Sequence, residues 1–278
     1  MSDMTAGPAP QPATRFSPRR VGAIMLRHYY LMRSSWPRLA DLLYWPIVQM
    51  LMWGFLQTYL NQHSSFIATA GGSLLGAILL WDMTIRGQLG LSVSFLEEMW
   101  SRNMANLLIS PLRTSEYLVA LMMVSLMRLT IAIIPVTLLA LWFFGFNLWG
   151  LGFGLAAFFA NLLLTGWSVG ILVSGLILRN GLGAETLAWT LMFLLLPLCA
   201  VFYPVSVLPG FLQPVAWALP PTYVFEGLRA ILFDQTFRAD LMIEALAINA
   251  VFISGASLAY VRLTDSARRI GSLMAVGE

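Results

Sequence analysis

Charged side chains inside apolar runs are the residues of this sequence best placed to do chemistry, because each costs roughly 2.5–3.5 kcal/mol at the centre of a bilayer and so needs a partner. Asp82 and Arg86 stand four apart in one apolar run, and Arg128 falls near the middle of the next. That spacing puts Asp82 and Arg86 on one helix face. Similar depth brings Arg128 within reach, so a buried cluster of the three is expected. A lock between two helices is the simpler reading of it; contact with an anionic group of a substrate is the sharper one. As a general base Asp82 is poorly suited, since the arginines hold its carboxylate in ion pairs. A second pattern is Trp45, Gln49, Trp53 and Gln57, which recur every four residues and share one helix face. Lipid does not favour two glutamines, so this stripe lines a path or packs against a second copy, where amides hydrogen-bond between helices.

Other chemistries lack their residues. All sixteen basic residues are arginine, and without lysine there is no P-loop to reach a nucleotide's phosphates. One cysteine, Cys199, and two histidines, His28 and His63, give neither a disulfide framework nor metal-ligand spacing. A membrane-embedded enzyme would need a nucleophile with a base, paired carboxylates or a metal cluster. The expectation is a chain without catalytic residues, metal or cofactor of its own.

The elements that must position these residues are membrane helices. Of 278 residues, 59% are hydrophobic and 10% charged, where a soluble domain carries roughly a quarter charged. The apolar excess is spread as runs suited to a bilayer of ~30 Å. They cover about 42–60, 73–95, 117–144 and 151–178, a fifth from about 185 that breaks at Pro204, and about 241–262. The expected fold class is all-α: a polytopic membrane protein with six transmembrane helices in a single membrane domain over 17–278. Residues 1–16, rich in Pro, Ala and Thr, are expected to be a disordered cytoplasmic tail. Gly72 with Gly76 and Gly166 with Gly170 are spaced for close helix packing.

Arginines outside the spans sort by side. Arg15, Arg19, Arg20, Arg27, Arg33, Arg38, Arg102, Arg113, Arg179, Arg262, Arg268 and Arg269 fall on one side, and Arg229 and Arg238 on the other. Positive charge marks the cytoplasmic side, so both termini are expected there. The net charge of +3 forms no separate basic domain, and no nucleic-acid partner is expected.

Three segments differ from plain crossings. Ser17 and Pro18 start a helix expected over 17–34. Val21, Ile24, Met25, Tyr29, Leu31 and Met32 fall on one side of it, and Arg19, Arg20, Arg27 and Arg33 on the other. That pattern describes a helix lying on the inner membrane surface, or an ordinary solvated face. Residues 96–116 are too patterned for a turn. Glu98 and Arg102 are spaced as an i,i+4 pair, and Trp100, Met104, Leu107 and Leu108 form an apolar stripe. A short amphipathic helix is expected there, resting on headgroups or giving a soluble partner a grip on the membrane helices. Over 205–238 the prolines Pro209, Pro214, Pro220 and Pro221 rule out one continuous helix. A re-entrant helical hairpin on the outer side fits, with Phe202 and Tyr203 as interfacial belt aromatics.

Two of these stretches resemble type-2 ABC-transporter permeases. Asn106-Leu107-Leu108-Ile109-Ser110-Pro111-Leu112-Arg113, leading into a span, is similar to that family's loop between its second and third helices. Phe202-Tyr203-Pro204-Val205-Ser206-Val207-Leu208-Pro209-Gly210-Phe211-Leu212-Gln213-Pro214, followed by Leu219-Pro220-Pro221-Thr222-Tyr223-Val224-Phe225-Glu226-Gly227-Leu228-Arg229, looks like its C-terminal signature. Members commonly carry a Gly-Thr-Glu-like stretch in the coupling loop, where this chain has Asn103-Met104-Ala105-Asn106.

The resemblance implies the permease subunit of an ATP-driven ABC exporter in a bacterial inner membrane, working by alternating access. It implies as partners two ABC ATPase subunits, which bind ATP and Mg, a second copy of this chain or a related permease, and the lipid bilayer. ATPase coupling would fall to Glu97, Glu98, Trp100, Arg102, Asn106, Leu107, Leu108, Pro111 and Arg113. The outer gate would be Phe202, Tyr203 and Pro204, and the stripe from Trp45 to Gln57 would serve the translocation path or the dimer face. The substrate would be amphiphilic, drug-like, lipid or glycan. A stand-alone secondary carrier or channel is the alternative. Carriers often repeat broken helices in both halves, whereas this chain has one break, near its end.

Overall fold

The computed structural model describes residues 16–63 and 73–270; Gly72 and all of the expected tail except Phe16 lie outside the described residues. The described chain is helical, with ten α-helices and no strand. They are α1 (Pro18–Arg33), α2 (Trp36–His63), α3 (Ser73–Trp100), α4 (Met104–Ile109), α5 (Thr114–Phe144), α6 (Phe153–Asn180), α7 (Leu187–Leu198), α8 (Gln213–Trp217), α9 (Pro220–Asp234) and α10 (Ala239–Ile270). Local signals set several ends. Pro18 stands in the first turn of α1, where its missing N–H goes unmissed. Gly145 closes α5 with φ 65°, and its N–H donates to Leu141 O at 3.0 Å.

Four helices, α2, α5, α6 and α10, are long and apolar enough to cross a membrane. The expectation of six meets two differences. The helix α3 has 28 residues but carries Asp82, Arg86, Glu97 and Glu98, so composition alone does not mark it as a span. It tolerates them because α2, α5, α6 and α7 all pack against it; residues 75–84 are buried without a gap. The helix α7 has only 12 residues, about 18 Å at ~1.5 Å per residue. It ends at Leu198 rather than at Pro204, and Ala200 turns the chain with φ 50°.

Lipid tails are as apolar as the side chains they touch, so close backbone approach and interhelical hydrogen bonds hold such helices together. At Gly166 of α6 a Cβ would stand 2.6 Å from Thr84 O of α3, and at Gly170 it would stand 3.1 Å from Gln88 O. The small pair expected from the sequence is therefore where α6 meets α3. On its other face α6 binds α10 through a buried polar knot. Asn249 Nδ2 donates to Asn161 O at 3.0 Å and Oδ1 at 3.1 Å, while Thr165 Oγ1 donates to Asn249 Oδ1 at 2.8 Å.

Between α7 and α10 the proline-rich stretch folds as two helices joined by a tight corner. Thr222 Oγ1 donates to Ala216 O at 2.6 Å, and Gln213 Nε2 donates to Leu208 O at 3.0 Å. A small cluster of Ala200, Val205 and Ala216, with Tyr203, Leu208 and Trp217 against it, packs the corner. The helix α9 then lies along α10.

Candidate functional site

The segment over 96–116 is assembled from the ends of three helices. The helix α3 runs through Glu97 and Glu98 to Trp100 and stops by local chemistry: Asn103 N–H donates to Glu98 O and Arg102 N–H to Met99 O, both at 3.0 Å, with Arg102 at φ 53°. That is a Schellman closure with arginine in the position glycine usually takes. It corrects the expected i,i+4 pair of Glu98 with Arg102, because Arg102 lies past the helix end. The buried Glu98 carboxylate instead receives Arg27 Nη2 at 3.0 Å and Asn103 Nδ2 at 2.7 Å, with His28 Nε2 at 3.7 Å.

The expected amphipathic helix is α4, six residues long. Met104 is buried, Leu107 packs partly against the core, and Asn106 donates to Asn103 Oδ1 at 3.1 Å from an exposed position. The side chain of Leu108 lies outside the described residues. Trp100 is not part of the buried stripe; it is exposed, and its Nε1 donates to Glu185 Oε2 at 3.1 Å. That bond sets the turn after α3 beside the turn before α7. Pro111 and Arg113 are exposed. Ile109, to which the sequence reading gave no role, is exposed at 77%, the most outward apolar side chain among the described residues of α4.

Glu116 is the second anchor, and the sequence reading missed it. Its buried carboxylate accepts the backbone N–H of Ser17 at 2.7 Å and of Arg113 at 3.0 Å, so one side chain closes the starts of α1 and α5. Arg20 grips it in bidentate fashion, Nε at 2.8 Å and Nη2 at 2.6 Å. Glu116 precedes the apolar stretch of α5. The Arg20 hydrogen bond, followed by the two backbone donors, outweighs desolvation and holds its carboxyl at about 2. The usable signal was a glutamate at the third position of a helix that starts at Thr114. Arg20 and Arg27, expected on the side of α1 opposite its apolar residues, thus pair with buried carboxylates of α5 and α3.

Deeper in the structure, Asp82 and Arg86 pair as expected, at 2.6 Å, and Arg86 Nη1 also donates to Leu42 O of α2 at 3.0 Å. Arg128 does not join Asp82: its Nη2 pairs with Glu97 Oε2 at 2.7 Å. Side chains on a helix lean toward its N-terminus. Since α3 and α5 run antiparallel, Arg128 leans toward Glu97 and away from Asp82. All three residues nevertheless line one cavity of about 390 Å³, whose walls include Trp45 and Gln49 of α2 and Trp189 and Phe193 from α7.

The α2 stripe therefore divides. Trp45 and Gln49 face this cavity, whereas Trp53 stacks on Phe202 with ring centroids 5.4 Å apart. Gln57 turns inward and its Oε1 accepts the Leu75 N–H at 2.9 Å near the start of α3. Beside Phe202, the Tyr203 hydroxyl donates to Pro197 O at 2.6 Å, and Pro204 precedes a short 3-10 turn, Val205–Val207. Glu226 and Arg229 of α9, quoted for the signature but given no role, fasten this break. Glu226 accepts Val205 N–H at 2.9 Å and pairs with Arg229 Nη2 at 3.0 Å. They line a second cavity of about 620 Å³ with Trp217, Phe233 and Arg238.

Among the described residues no three His, Cys, Asp or Glu side chains gather as metal ligands. A search of curated proteins finds no match. Against known families, residues 27–233 match the ABC-2 type transporter family, a region that contains α4, the charged cavity and the fastened break. The match spans most of the chain, whose described residues include four membrane-length helices, and the chain belongs to the ABC-2 type transporter family as the permease component of an ABC transporter.

Proposed function

We propose that this chain is the permease of an ATP-driven exporter in a bacterial inner membrane, pairing with a second copy or a related permease and with two ABC ATPase subunits. The observation that carries the reading is α4. It is a six-residue helix with Ile109 turned outward, set between α3 and α5, whose ends are tied to α1 by Glu98 and Glu116. A push on α4 would pass to α3 and α5 through the short turns at 101–103 and 110–113, and from the ends of those helices to α1 through ion pairs. On this reading α2, α3, α5, α6, α7 and α10 make six crossings with both termini cytoplasmic. The helix α1 lies at the inner interface, and 205–238 forms the outer hairpin. The six-crossing count is supported by the enclosure of α3, which lets a charged helix run at membrane depth. ATP-driven closure of the partners would move α4 and alternate access to a path at the subunit interface. Phe202, Tyr203 and Pro204 would form the outer gate, and the cargo would be amphiphilic, drug-like, lipid or glycan.

The test is copurification from lipid nanodiscs after expression with the cognate ABC ATPase, comparing the parent with Ile109→Arg and Leu107→Arg. The parent is expected to retain ATPase. Ile109→Arg, at an exposed position, should lose most of it while keeping its melting behaviour; Leu107→Arg should lose both. A chain that purifies alone and binds no ATPase would overturn the coupling reading and favour a stand-alone carrier or channel.

A further inference from the structure

Two polar atoms deep in the bundle have no hydrogen-bond partner among the described residues, Gln88 Oε1 and Arg128 Nε, and both side chains line the 390 Å³ cavity. Gln88 is fully buried and Arg128 is 9% exposed. A buried polar atom left unpaired costs about 1–3 kcal/mol, so two beside one cavity, on α3 and on α5, point to a ligand that satisfies both. Their chemistry narrows it. Arg128 Nε can only donate, from a guanidinium that keeps its charge, so it requires an oxygen acceptor. Gln88 Nε2 donates to Ser92 Oγ at 3.0 Å. Because an amide and a hydroxyl can exchange roles, Gln88 can present either end to an oxygen or a hydroxyl of the ligand. Glu97 neutralises Arg128 through Nη2 and leaves the Nε edge for a charge-assisted bond.

Asp41, Gln49 and the Asp82–Arg86 ion pair also line the cavity; its other walls are apolar, and Trp45, Trp189 and Phe193 among them are exposed. Its 390 Å³ equals about thirteen waters at ~30 Å³ each, more room than a four-oxygen anion fills. We propose that the cavity binds an amphiphile by an anionic, oxygen-bearing headgroup, a phosphate or a carboxylate. The headgroup sits on Arg128 and Gln88, and its apolar part lies along the aromatic mouth. Resting on the permease reading, this makes an anionic amphiphile the transported class.

The test needs only the full chain, in phosphatidylcholine nanodiscs without ATPase. Radiolabelled lysophosphatidic acid and palmitate serve as probes, with inorganic phosphate as competitor and lysophosphatidylcholine as the zwitterionic control. At least one anionic probe is expected to bind saturably, while millimolar phosphate does not displace it and the zwitterion does not compete. Arg128→Lys keeps a cation opposite Glu97 but removes Nε, and should weaken binding about tenfold. Asp41→Asn removes an exposed carboxylate from the same lining and should strengthen binding about threefold; it decides the matter if the lysine variant does not fold. Saturable binding unchanged in both variants, no saturable binding of either probe, or full displacement by inorganic phosphate overturns the proposal. Because no ATPase takes part, failure here leaves the coupling test untouched, and failure of that test leaves this binding intact.

Discussion

Arg102 holds a left-handed backbone conformation at the end of α3, with φ 53° and an exposed side chain. An L-residue there costs about 1–2 kcal/mol that glycine avoids. Arg102→Gly should therefore raise the stability of the purified protein by about 1 kcal/mol, read from its unfolding midpoint. Glu116 answers to pH. Its carboxyl is held at about 2 in the fold, below the ordinary 4.5. Its contribution is thus fully present above about 4.5 and is lost as pH falls through the folded value. Hydrogen exchange in α1, corrected for intrinsic rate, should stay slow down to about pH 4.5 and rise as pH falls toward 2. Glu116→Gln should show the fast exchange already at neutral pH. Exchange in α1 that ignores both would show that Glu116 does not hold this helix.

The contact of α3 with α6 depends on a hydrogen atom where any other residue has a carbon. The site of a Cβ on Gly166 is 2.6 Å from a backbone oxygen of α3, which cannot move aside as a side-chain tip can. Gly166→Val should lower stability by about 1–3 kcal/mol, as overpacking does, in a steric-trapping or SDS unfolding measurement. The α6–α10 contact has a different basis, the Asn161–Thr165–Asn249 knot. Interhelical bonds of this kind average ~0.6 kcal/mol in a bilayer. Asn249→Leu, which removes all three, is expected to cost about 1–2 kcal/mol in the same measurement. Equal stability in both variants would mean that α6 is held elsewhere along its length.

Orientation is a property of the whole molecule. The Trp100–Glu185 bond puts the turns after α3 and before α7 at one end, the end where Arg20, Arg27, Arg102 and Arg113 gather, while Arg229 and Arg238 line the cavity at the other. Cys199, the only thiol, is buried, so an introduced cysteine can be read without background. A membrane-impermeant maleimide should label Ser101→Cys in inside-out vesicles and Thr236→Cys in spheroplasts, each from that side alone. Labelling in the reverse sense would invert the arrangement, and labelling of both from one side would break the six-crossing count.

Patterns carried along a single helix were legible in the sequence. The start of α1 at Pro18, the Asp82–Arg86 pair and the Gly166–Gly170 face needed only local geometry, because residues three or four apart on a helix meet whatever surrounds them. The break near residue 200 was legible too, since the run of prolines from Pro204 to Pro221 leaves no stretch for one continuous helix, though its position shifted to Leu198. What the sequence left open were choices between helices. Arg128 took Glu97 over Asp82, Arg27 and Arg20 took Glu98 and Glu116, and Gln57 took the backbone of Leu75. Each depends on the relative height and rotation of two helices, which close contacts such as Gly90 on Ser125 set only once the bundle forms. The charged cavity likewise exists only in three dimensions: its unpaired atoms sit on α3 and α5 and its aromatic mouth on α2 and α7, four elements that no spacing along the chain brings together.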